Sequence, residues 1–155
     1  MEGTSRMTSI RNTVLVTALA VWAASCSSDH ATSPATAVAG TYSLTTVNGQ
    51  GLPFTLPSTT LGQVVIQSAR ITLTPGTPSS TYQATVSGSV NGSPTTQLIS
   101  DAGTYTLSGA SLTFSSTSIP LLSYGGSFSN NVLTVNVPGQ AFGGSGTIVL
   151  GLTKS

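Results

Sequence analysis

From Ala39 onward, apolar residues recur at every second position through several short stretches, with serine, threonine, asparagine and glutamine between them. No stretch sustains a period of 3.6, so the pattern predicts strands rather than helices. Residues 41–47 form the first expected strand, with Tyr42 and Leu44 on one face, and Asn48-Gly49 ends it with a pair that accepts positive φ. Residues 50–60 are broken by Pro53 and Pro57 and read as a loop carrying Leu52, Phe54 and Leu56. Residues 61–66 and 70–74 are two short strand candidates. The clearest strand is 82–90: Tyr82, Ala84, Val86, Gly88 and Val90 face one way, and Gln83, Thr85, Ser87 and Ser89 the other. Asn91-Gly92 is a strong tight-turn signal, after which residues 93–99 return antiparallel. Asp101-Ala102-Gly103 is expected to turn the chain again.

Two hairpins of similar design follow. In the first, Tyr105 and Leu107 precede the turn and Leu112 and Phe114 follow it. In the second, Phe128 precedes Asn130-Asn131, and Leu133 and Val135 follow. Their Leu-Thr pairs are offset by 21 residues. Residues 146–152 (GTIVLGL) supply a last strand. The total is an all-β antiparallel meander of eight or nine strands joined mostly by short turns. A meander exposes two unpaired edges, and closing it into a barrel removes both. A two-sheet sandwich is the competing solution, and the short neighbour-to-neighbour connections favour the barrel.

The N-terminal part has a different pattern. Arg6 and Arg11 precede residues 13–24 (TVLVTALAVWAA), an uncharged and largely apolar run of 12 residues. That length suits the core of an export signal; a spanning helix needs about 20 residues. Met7 offers a second start with a shorter basic segment. The run leads into Cys26, the only cysteine, so no disulfide can form within the chain. The stretch Trp22-Ala23-Ala24-Ser25-Cys26 resembles the bacterial lipobox, with Ala23 where leucine is usual. The resemblance implies that residues 1–25 are removed and that Cys26 carries lipid, palmitate included. Two or three acyl chains make an anchor that is hard to reverse, so a membrane is the expected partner. Ser27 implies the outer membrane if the source is Gram-negative. Residues 26–38, small, polar and interrupted by Pro34, read as a flexible tether holding Asp29 and His30 as solvated spacer residues.

Charge narrows the functional classes. Residues 26–155 carry only Asp29, Arg70, Asp101 and Lys154 as charged side chains. Such a surface offers nothing to phosphate backbones, so no nucleic-acid partner is expected, and a polybasic lipid-binding patch is excluded. Catalysis needs a base, nucleophile or metal held in geometry. Residues 39–155 hold one carboxylate side chain, Asp101, and no histidine, so neither an enzyme nor a cofactor or metal site is expected. Asp101 is expected to cap the turn with Ala102-Gly103, and an ion pair with Arg70 stays open.

A second resemblance covers most of residues 39–155. The opening Ala39-Gly-Thr-Tyr-Ser-Leu-Thr-Thr-Val-Asn-Gly-Gln-Gly-Leu-Pro53 is similar to that of small bacterial lipocalin-like lipoproteins, as are the later Tyr-Thr-x-Ser-Gly-x-x-Leu-Thr-Phe hairpins. Tyr42 stands where typical lipocalins carry tryptophan, and their closing arginine is missing, with Lys154 only a loose substitute. The resemblance implies a barrel with residues 50–60 at its mouth. Two functional expectations follow. In the first, the barrel binds a small apolar ligand such as a lipid, lined by Tyr42, Tyr82, Tyr105, Phe114 and Phe128. In the second, the domain is a non-catalytic structural or surface interaction module of the cell envelope, with a packed core and a polar outer face.

Overall fold

The computed structural model describes residues 34–57 and 59–155; the segment expected to be an export signal, together with Cys26, Asp29 and His30, lies outside the described residues. A short helix, α1 (Pro34–Val38), is followed by β1 (Gly40–Val47), β2 (Phe54–Thr55), β3 (Val64–Thr74) and β4 (Ser80–Val90). Then come β5 (Ser93–Ser108), β6 (Ser111–Ser116), β7 (Ser123–Ser129), β8 (Val132–Pro138), a 3-10 turn at Gly139–Phe142, and β9 (Thr147–Lys154). Each strand from β3 to β9 pairs antiparallel with its sequence neighbour, β9 pairs with β1, and β1 pairs with β3. Eight strands therefore close into a barrel, as the short connections favoured. The two-residue β2 adds a flap on the start of β3, through Phe54↔Ile66 and Thr55↔Val65.

The turns follow from residue chemistry. Asn48-Gly49 (φ 50°, 76°), Asn91-Gly92 (φ 50°, 78°) and Asn130-Asn131 (φ 51°, 64°) each place two successive residues in the left-handed region. That is the requirement of a tight turn matched to strand twist, and asparagine and glycine meet it at least cost. The Asn side chains also bind neighbouring elements. Val149 N–H donates to Asn48 Oδ1 at 2.8 Å, and Gln63 N–H donates to Asn91 Oδ1 at 2.9 Å.

Three sequence readings need correction. Residues 61–66 and 70–74 are not separate strands; residues 64–66 and 70–74 lie in the one strand β3, whose register against β4 shifts between Ile66 and Ser68. The buried positions change parity there, from Val64 and Ile66 to Ala69, Ile71 and Leu73. A bulge inserts one residue and moves the apolar face by one position, which the alternation rule reads as a break. Second, Asp101-Ala102-Gly103 does not turn. It lies inside β5, opposite Ala84, Gln83 and Tyr82 of β4, and Gly103 is also opposite Ser116 of β6. Third, the last five residues of the expected flexible tether form α1. Val38 is buried there, and its carbonyl accepts the Tyr42 hydroxyl at 2.6 Å. A buried valine and a buried hydroxyl bond fix that segment against the end of the barrel where β1 begins.

The inner wall is filled. Tyr42, Tyr82, Phe114, Ile66, Leu73, Leu112, Leu133 and Leu152 are all fully buried and belong to one core. An eight-stranded barrel has an interior just wide enough for side chains to fill. At Gly103 a Cβ would collide with the backbone carbonyl oxygen of Ser115, whereas at Gly51 it would meet open space. Gly103→Ala should therefore lower unfolding free energy by about 2 kcal/mol or more, while Gly51→Ala stays within about 0.5 kcal/mol. Urea denaturation of the two variants checks this.

Candidate functional site

The interior polar cluster is built on β4, β5, β6 and β7. Asp101 points inward from β5 and is 5% exposed, the one buried charged side chain among the described residues. Its Oδ2 accepts hydrogen bonds from the Tyr82 hydroxyl at 2.7 Å and the Tyr124 hydroxyl at 3.0 Å. Its Oδ1 accepts one from the Ser116 hydroxyl at 2.5 Å. Ser116 Oγ in turn accepts the backbone N–H of Ile119 at 2.8 Å, and Ala102 carbonyl oxygen accepts the N–H of Thr117. A carboxylate without a cationic partner is costly to bury, and charge-assisted bonds from three hydroxyls compensate for the lost water. The cluster thereby stitches the segment after β6 onto β5. Arg70 is exposed on the outer wall, so the ion pair left open by the sequence does not bring Arg70 and Asp101 together across the wall.

The aromatic rings pack around this carboxylate. Tyr82 meets Phe114 edge-on at 5.1 Å between centroids and Tyr124 at 6.1 Å, while Phe114 and Tyr124 stack at 5.1 Å. Tyr105 lies 6.3 Å from Phe114. Of the five residues expected to line a ligand site, Tyr82, Tyr105 and Phe114 thus share one cluster. Tyr42 and Phe128 form a separate edge-on pair at 6.0 Å, with Phe128 only half-buried. Tyr124, which is not among those five residues, belongs to the same cluster, and Asp101 is a buried acceptor within β5 and not the cap of a turn. Tyr124 was detectable, since it precedes Gly126 and Phe128 at the strand period of two. Nothing in the local sequence marks an inward-pointing aspartate.

Burial sets the titration of these phenols. Desolvation pushes Tyr82 up to about 12 from 10.0 and raises Tyr124 still further, with Tyr82 and Asp101 beside Tyr124 opposing its ionisation. Tyr42 and Tyr105 are raised by burial as well. Among the described residues, Tyr105 Oη is the buried side-chain polar atom without a hydrogen-bond partner.

Little space remains inside. A cavity of about 30 Å³ is bounded by Asp101 and Tyr124 and by apolar side chains including Ala69, Ala84, Ile99 and Phe142. With roughly 10–15 Å³ needed per water, it admits about two or three waters, against the several hundred Å³ of a drug-sized ligand site. A groove of about 450 Å³ lies elsewhere, on the outer side of β1, β3 and β4. Its rim carries Ser43, Ser68, Arg70, Thr72, Gln83, Thr85 and Ser87, above the buried Leu44 and Ala69.

The fold defines a closed eight-stranded antiparallel barrel with a polar-tipped aromatic core, the architecture that lipocalins also use. Compared with known proteins, the chain matches no family model, no curated protein and no solved structure.

Two expectations test the cluster. Tyr124→Phe removes one bond to a charged acceptor and should destabilise by about 2 kcal/mol, whereas Tyr105→Phe removes an unpartnered buried hydroxyl and should stabilise by about 1 kcal/mol. Denaturant midpoints of both variants decide between them. The raised phenol pKa values also set an alkaline limit. The folded state keeps protons that the unfolded state releases above pH 10, so stability is intact below 10.0 and falls as pH climbs through about 12. Thermal melts from pH 9 to about 12 should show that fall, and Tyr82→Phe should make it shallower.

Proposed function

We propose that this protein is a lipid-anchored, non-catalytic surface interaction module of a bacterial cell envelope, in which the barrel is a packed scaffold and the outer wall is the working face. The observation that carries the reading is the interior: a cavity of about 30 Å³ is too small for a lipid tail. Asp101 supports the non-catalytic part, because both carboxylate oxygens are occupied by hydroxyl donors within the core. The anchor rests on the lipobox-like segment ending at Cys26. α1 lies at the start of the barrel and would join the tether directly to β1.

A second reading has a specific observation in its favour. The cavity wall is mostly apolar, with small residues at Ala69, Ala84 and Ala141. A barrel that widened there would hold a small apolar ligand, with Asp101 and Tyr124 as its polar contacts.

Two measurements test these readings. In cells, Cys26→Ala should move the protein from the membrane to the soluble fraction and abolish labelling by palmitate. Membrane binding that survives the substitution, with no label on the wild type, removes the anchor. Native mass spectrometry of residues 32–155 after exposure to a membrane lipid extract should return the bare protein mass. An added mass that disappears on denaturation replaces the packed scaffold with the ligand-holding barrel.

A further inference from the structure

The outer groove originates in a split between strands. β1 pairs with β3 only from Gly40↔Leu73 to Ser43↔Arg70, then continues along β9 as far as Val47. Both strands change register near that point, β1 between Leu44 and Thr46 and β3 between Ile66 and Ser68. Bulges increase local twist and bend the strand, so the two diverge and leave a concave channel floored by Leu44 and Ala69.

The groups facing the channel form an ordered array. Ser68↔Ser87, Arg70↔Thr85 and Thr72↔Gln83 are direct cross-strand pairs. Neighbouring strands lie about 4.8 Å apart and alternate residues about 6.8 Å apart. The array sets Ser68, Gln83 and Thr85 around one guanidinium, while Ser87 Oγ donates to the Thr96 carbonyl oxygen at 2.6 Å and Thr72 Oγ1 bonds Thr41 Oγ1 at 3.2 Å. The described residues contain one carboxylate side chain, Asp101, and it is buried on the inner face. Arg70 thus stands exposed in the groove, with no carboxylate side chain of the described residues beside it.

A guanidinium fork binds a carboxylate through two parallel bonds. Hydroxyl and amide groups both donate and accept, which matches the hydroxyls of a sugar. The channel is concave and its rim has no aromatic side chain to anchor an apolar partner. We propose that this groove binds an acidic oligosaccharide, with Arg70 holding a sugar carboxylate and Thr85 and Gln83 holding ring hydroxyls. The inference rests on the reading of the outer wall as the working face and names its ligand class.

The unit spanning Thr32–Ser155 contains the complete closed barrel and its core, so it can be studied alone. The probe is trigalacturonate, titrated into that ¹⁵N-labelled unit and followed by amide chemical shifts. Saturable shifts are expected at residues 68–72 and 83–87. Arg70→Gln should weaken binding about tenfold or more, the scale of losing a bidentate charged contact, with Arg70→Lys falling between it and the wild type. Neutral maltotriose should bind about tenfold more weakly than trigalacturonate. The absence of saturable shifts up to about 10 mM overturns the proposal. So does an unchanged affinity in Arg70→Gln, or identical shifts produced by acetate or sulfate alone. Should Arg70→Gln lose its dispersed spectrum, Thr85→Ala, with a threefold or larger loss expected, takes its place. Failure here, with Cys26-dependent membrane attachment intact, discards the acidic ligand and leaves the anchored module standing.

Discussion

Four residue pairs between β1 and β3, from Gly40↔Leu73 to Ser43↔Arg70, turn a row of strands into a closed wall. Without them the sheet would present two edges, and the apolar faces of all its strands would be open to water on one side. Closure gives the interior a fixed width, and that width explains the contents: four tyrosine or phenylalanine rings in mutual contact and a layer of leucine, isoleucine and valine around them. The same pairing is short. Beyond Ser43 and Arg70 the two strands follow different neighbours, so the contact that closes the barrel also creates the outer groove.

Asp101 is the second constraint. A lone carboxylate in an apolar interior is tolerated only when its oxygens are saturated with donors. Tyr82, Tyr124 and Ser116 provide them, and each comes from a different strand. Through Ser116 and Ala102 the cluster also fixes the chain after β6. Its polar groups are consumed in holding the core together. The outer wall, by contrast, is rich in hydroxyls and poor in charge.

Much of the fold was legible because its rules are local. Alternation marked β1, β4 and the two late hairpins, and Asn-Gly or Asn-Asn pairs marked the turns after β1, β4 and β7, since positive φ at successive residues restricts the choice of side chain. The bulge at Ile66–Ser68 was hidden because one inserted residue shifts the apolar face without leaving a composition signal. The site was less legible. Tyr82, Tyr105 and Phe114 were recognisable as inward aromatics, but Asp101 beside a glycine carries the local signature of a turn. Only its neighbours in space give it another role.

The sequence by itself determined the all-β character, the tight turns at Asn48-Gly49, Asn91-Gly92 and Asn130-Asn131 and the near-absence of charge, all of which depend on residue type and spacing along the chain. Tertiary structure alone decided that the meander closes, that Asp101 is a buried acceptor, that the interior is full and that Arg70 stands in a groove. Those outcomes depend on which strands meet across long sequence separations. The pairing of residue 43 with residue 70, and the meeting of residues 82, 101, 116 and 124 around one carboxylate, leave no mark on any local stretch of the chain.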